Sequence, residues 1–204
     1  MSAKARILQP KGLFVAAVAA ITVAFLTDTA GQTLQLREID HLERAADRYS
    51  RSNKTRAIAI ADIAEYDSPR PEWKRFASEE ELDMFSRDNS VYTAALNWVR
   101  GRNLVVTSIS SGSPSGDWAR YVKYVFYDDG RTAKISDELR TFYGNCIART
   151  FIYLSRSGRI LEKQTRSFDL VTRKPLKRSC DTVADASFHR NARELPFYAL
   201  VIRK

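Results

Sequence analysis

The residues able to do chemistry are few in this chain, and their spacing argues mainly about what they do not do. Two cysteines and two histidines occur in 204 residues, too few for an elaborate metal cluster or an iron–sulfur centre. His41 falls on the polar side of a helical pattern, where surface exposure is the default. His189, in DASFHRN, has Asp185 four residues before it. On a helix that carboxylate would orient the imidazole or share a metal with it, although a histidine without a special role is the commoner case. GSPSG at 112–116 has the outline of a G-x-S-x-G nucleophile elbow, but Pro114 stands where the nucleophilic serine is required. A hairpin connection accounts for it better. No H-E-x-x-H, S-x-x-K, Walker or dinucleotide fingerprint is present. Glu79, Glu80 and Glu81 suit a helix start, where their charge complements the dipole. A glycosidase pair is defined by a separation in space that sequence does not give. We therefore expect no catalytic residue, no metal and no cofactor. The balance leans away from an enzyme, and an envelope hydrolase with a site assembled from scattered residues is kept as the alternative.

The more informative constellation is aromatic and basic. ARYVKYVFY runs into Asp129–Gly130, a strong hairpin signal. Read as a two-residue turn, it pairs Phe126 with Ala133 and Tyr124 with Ile135, with Val122 on the same face. The opposite face carries Tyr121, Lys123, Val125 and Tyr127 against Lys134 and Glu138. A second hairpin follows 28 residues later, with Gly158 of SRSGR over Gly130 of YDDGR. In it Arg149, Phe151 and Tyr153 face Arg166, Gln164 and Glu162, while Ile152 and Leu154 share the other face with Leu161 and Lys163. Tyr121, Tyr127, Arg149, Phe151, Tyr153 and Arg166 are thus the candidate ligand or partner surface, since tyrosine and arginine concentrate binding energy. Burial of these residues beneath an N-terminal helix is the competing reading. The basic loop RKPLKR (Arg173, Lys174, Lys177, Arg178) suits an anionic surface or plain solvation.

The elements that must position these residues follow from periodicity. LQLREIDHLERAADRYS, residues 34–50, repeats apolar groups at Leu36, Ile39, Leu42 or Ala46, and Tyr49, the spacing of an amphipathic helix. Asp40–Arg44 and Asp47–Arg51 have the i,i+4 order of helix-stabilising pairs. In TRAIAIADIAEY two isoleucines alternate with alanines as in a strand, while the alanine content also suits a helix; the strand is preferred. Pro69 and Pro71 end this segment. Ser78 with Glu81 forms a capping box and predicts a short helix from Glu79 to about Arg87. VYTAALNWV and NLVVTSIS form a further hairpin around Arg100–Gly101. LPFYALVIRK reads as a final strand. The expected fold is α+β: an antiparallel meander of six to eight strands, as a curved open sheet or partial barrel, with an N-terminal amphipathic helix and one short helix.

Lys4, Arg6 and Lys11 precede GLFVAAVAAITVAFL, residues 12–26, an apolar run too short to span a bilayer comfortably and suited to a signal peptide. The expected organisation is a leader over 1–31, with cleavage after Gly31, and one domain over 32–204. Retention of residues 12–26 as an inner-membrane anchor is the alternative. No cysteine follows the apolar run, so a lipoprotein anchor is excluded. The chain has a formal charge of +9, and loss of 1–31 would leave +7. In the periplasm or outside the cell that charge points away from nucleic acid. It points toward an anionic envelope component or another envelope protein, with membrane contact only through an uncleaved N-terminus. An oxidising compartment favours pairing Cys146 with Cys180, against two separate buried thiols. Closure would stabilise by about 3–4 kcal/mol in the loop-entropy account.

SPSGDWARYVKYVFYDDGRTAKISDELRTFYGN, the following YL-x-x-x-G-x-x-L-x-K hairpin and the ending FDLVTRKPLK resemble a group of uncharacterised exported bacterial proteins over about residues 73–177. The resemblance implies an exported β-rich domain. It carries no activity, so no catalytic residue transfers, and the cysteines are not part of it. The function expected is an exported envelope protein that binds a ligand or partner through its sheet without catalysis.

Overall fold

A computed structural model describes residues 14–180 and 188–202, with side chains from residue 31 onward. Asp185 and the apolar run's first residues, Gly12 and Leu13, lie outside the described residues. The chain separates into two units, residues 1–37 and residues 38–204. The first helix, α1 (Phe14–Ser52), ends in the second unit. Among the residues with described side chains, no helix is long and apolar enough to cross a membrane.

In the second unit β1 (Ile58–Asp62), β2 (Trp73–Phe76), β3 (Thr93–Arg100), β4 (Asn103–Gly112), β5 (Trp118–Phe126), β6 (Thr132–Thr141), β7 (Cys146–Leu154) and β8 (Ile160–Asp169) form one antiparallel sheet. Its order is β2-β1-β3-β4-β5-β6-β7-β8. The α+β class and the meander are as the sequence predicts, and TRAIAIADIAEY supplies a strand. Ser78 caps α2 (Glu79–Asp88) through a 3.1 Å hydrogen bond from the Glu81 amide.

The two hairpins over 118–141 and 146–169 turn in the same way. Tyr127 N–H donates to Arg131 O and Ser155 N–H to Arg159 O, both at 2.8 Å. Gly130 and Gly158 hold the left-handed position with φ of 84° and 80°, which a side chain tolerates poorly. The first turn is thus a three-residue loop, and the register shifts at Phe126, which meets Thr132 and not Ala133. Tyr124↔Ile135 and Val125↔Lys134 hold beyond the shift, as do Arg149↔Arg166, Phe151↔Gln164 and Tyr153↔Glu162.

Each face of the sheet is covered differently. One face presents Ile60, Ala95, Val122, Tyr124, Ile135, Ile152 and Leu154 to the C-terminal segment, which buries Leu195, Phe197 and Val201 against them. This segment corrects the expected final strand: it is α3, Tyr198–Ile202. FYALVI lacks the alternation that marks a strand, Pro196 suits a helix start, and Phe197 and Val201, four apart, both reach the core. The Cys146–Cys180 disulfide, with Cα atoms 6.1 Å apart, ties Cys180 to the first residue of β7.

Candidate functional site

The other face is covered by two helices that do not meet over all of it. Part of α1 packs through Leu42, Ala46 and Tyr49 against Trp98, Val106 and Val125. α2 packs through Leu82 and Phe85 on Ala59, Ala61 and Phe76. Beside α2 lies a trough of about 670 Å³, well within the range of small-molecule sites. Its floor crosses five neighbouring strands, from Ala94 and Leu96 on β3 to Arg149 and Phe151 on β7. At the spacing of sheet strands that is roughly 19 Å.

The trough is chemically polarised along that length. At the β3 end Leu82, Val91, Ala94 and Leu96 give an apolar lining, with Glu79 and Asp83 of α2 also on the wall. Ser108, Ser110 and Ser136 lie on β4 and β6, on either side of the longer Tyr121 and Lys123 of β5. The Ser136 hydroxyl is buried without a hydrogen-bond partner among the described residues. At the β6–β7 end Arg140 and Arg149 hold the two oxygens of one carboxylate, Glu138, at 2.7 and 2.6 Å. Each guanidinium also lies over an aromatic ring, Arg140 over Tyr121 at 4.8 Å and Arg149 over Phe168 at 5.0 Å. Burial pushes the Glu138 carboxyl up, but hydrogen bonds from the two arginines outweigh it and hold the group below its usual range. Two cations therefore share one anion, and their remaining N–H groups leave donor capacity for a second.

A second charged cluster fixes α1 beside the trough. Glu43 bridges Lys123 and Lys134, each at 2.7 Å, while Asp47 reaches Lys123 and Asp40 reaches Lys134. Lys134 is only 7% exposed. Burial alone would lower its pKa, but hydrogen bonds with Glu43, Tyr153 and Asp40 raise it. Burial would likewise raise the Glu43 carboxyl, and its bonds to the two lysines lower it instead. Asp40 and Asp47 thus turn their carboxylates to sheet lysines, in place of the expected partners Arg44 and Arg51. The Arg51 Nε donates to the Asp47 backbone oxygen.

The six surface residues singled out in the sequence divide accordingly. Tyr121, Arg149 and Phe151 line the trough. Tyr153 lies beneath the Lys134 ammonium, 4.3 Å from its ring centre. Tyr127 is buried and donates its hydroxyl to Leu154 O at 2.8 Å. Arg166 is exposed and donates to Gln164. Sequence reasoning missed the cluster on α1, although Asp40, Glu43 and Asp47 recur at helical spacing beside the apolar stripe. It also missed Arg140 and the walls that α2 contributes.

His41 is exposed on α1. His189 lies against the Tyr124 ring on the other face of the sheet, and burial lowers its pKa. Among the described residues, no group of three histidine, cysteine, aspartate or glutamate side chains is placed to hold a metal. No protein-family model, curated protein or solved structure matches the chain.

Proposed function

We propose that this chain is an exported envelope protein whose second sheet face binds an amphiphilic anion without catalysis. The observation that carries the reading is the polarised trough: two arginines sharing one carboxylate at one end, an apolar lining at the other. An anionic head at Arg140 and Arg149 takes up their spare donors in charge-assisted hydrogen bonds. Tyr121 and Phe151 flank it, and an apolar body extends along the serine floor toward Leu96 and Leu82. Glu79 and Asp83 oppose the reverse orientation. The basic charge of the chain and its cysteine pair support the envelope assignment.

The alternative of an envelope hydrolase receives less support. The carboxylate at the basic end, Glu138, is held ionised by two arginines, the opposite of what a general acid needs. His189 lies on the other face, away from the trough serines.

Titration calorimetry with dodecanoate, and with an uncharged dodecyl maltoside as control, tests the reading. Dodecanoate binds the full chain, the maltoside binds at least tenfold more weakly, and Arg149→Ala removes that preference while circular dichroism stays unchanged. Equal binding of the two probes, or dodecanoate affinity unaltered in both Arg149→Ala and Arg140→Ala, would contradict it.

A further inference from the structure

One end of the sheet carries an apolar and basic tip separate from the trough. The turn between β6 and β7 exposes Phe142 and Tyr143, 67% and 83% accessible, and the turn after β8 exposes Val171 at 79%. Large apolar side chains this open to water usually mark a contact surface when they cluster. Here the two turns are fastened together. Leu170 N–H donates to Asn145 O at 3.2 Å, the Asn145 side chain donates to Asp169, and Arg178 donates to Gly144 O at 2.8 Å. The disulfide joins Cys146, beside the first turn, to Cys180, beyond the basic loop. That loop places Arg173, Lys174, Lys177 and Arg178 within six residues, all exposed. Among the described residues Arg173, Lys174 and Lys177 take part in no ion pair.

We propose that this tip docks on an anionic lipid bilayer, with Phe142, Tyr143 and Val171 entering the headgroup region and the basic loop facing the lipid phosphates. Aromatic side chains with one polar end settle at that interface, and lysines and arginines beside them add electrostatic attraction. A protein partner would require about 800 Å² of matched surface on each side, whereas the tip offers three apolar side chains on two turns. The basic charge also complements a bilayer in which every headgroup is a potential partner, so no fixed register is needed. This contact differs from anchorage by the N-terminal apolar run and does not depend on the trough.

Tyr143→Trp in the full chain reports on the tip, because the added emission comes from position 143 itself. With brominated lipid in phosphatidylglycerol vesicles, the emission added by Tyr143→Trp is quenched, and it is not quenched in phosphatidylcholine vesicles. Val171→Trp behaves in the same way. Replacing Arg173, Lys174 and Lys177 by serine lowers the anionic-vesicle partitioning of the tip by roughly fivefold per residue removed. Absence of quenching at both positions in anionic vesicles overturns the proposal. So does a change in emission caused by polyglutamate or duplex DNA but not by vesicles, which would assign the tip to an acidic macromolecule.

Discussion

The two faces of the sheet are closed by different physics. On the first, the C-terminal segment lays Phe197, Leu195 and Val201 on a mainly apolar floor that also holds the Arg120–Asp137 pair. On the second, the sheet carries lysines and arginines, and the covering helices are held at defined places by carboxylates and small apolar patches. Apolar burial is non-directional and draws elements together until no gap remains. Ion pairs fix elements where their partners lie and do not close the space between them. The open trough therefore occurs on the charged face, beside α2 and beside Lys123, the lysine that helps to anchor α1.

Breaking the first face should have the largest effect on stability. Phe197→Ala removes a buried ring from between Trp73 and the core and should cost about 3–5 kcal/mol in denaturant unfolding. Dodecanoate affinity, measured where the protein remains folded, should be unchanged. Loss of binding in the folded variant would show that the faces are not independent.

The charged anchor of α1 comes next. Glu43→Ala leaves Lys123 and Lys134 facing each other without their shared partner and should cost about 1.5–3 kcal/mol. Combining it with Lys134→Met should recover part of that loss, because it removes a buried cation left with Asp40 alone. The pH dependence has a definite sign. Glu43 has a lowered pKa when folded, so its contribution is present above the ordinary glutamate value of about 4.3. It is lost as the pH falls through the folded value. Lys134 has a raised pKa, so its contribution is present below the ordinary lysine value of about 10.4 and is lost only as the pH rises through the still higher folded value. The protection factors of the α1 amides from residue 38 to 52 should therefore fall in acid before those of β1 and β3 do. Simultaneous loss of protection would contradict separate anchoring.

The smallest effect sharpens the comparison at the other wall. Ser78→Ala removes the cap of α2 and should cost about 1 kcal/mol. Since α2 supplies Leu82 and Asp83 to the trough, dodecanoate should bind more weakly in this variant than its stability change alone implies. Unchanged affinity would show that α2 does not contact the ligand.

Much of the fold was legible because strand alternation and turn glycines act locally. The facing of Arg149, Phe151 and Tyr153 with Arg166, Gln164 and Glu162 follows from hairpin geometry, as does the Ser78 cap from its i,i+3 partner. The final helix was not legible, because a short unbroken apolar run such as FYALVI shows neither period clearly and its role depends on a sheet face far away in sequence. The site was half legible. Pleat alternation put Tyr121, Lys123, Lys134 and Glu138 on one face, but which of them α1 covers depends on where Asp40, Glu43 and Asp47 dock. The trough itself is open space between α2 and the arginines of β6 and β7, and no local pattern records its width.

The central claim is the location of binding, and amide chemical-shift mapping of the labelled full chain with dodecanoate tests it directly. The account predicts shifts at Ser108, Ser110, Tyr121, Ser136, Glu138, Arg140 and Arg149, with residues 192–202 on the opposite face unmoved. Shifts confined to 192–202, or none anywhere at saturating dodecanoate, would contradict it.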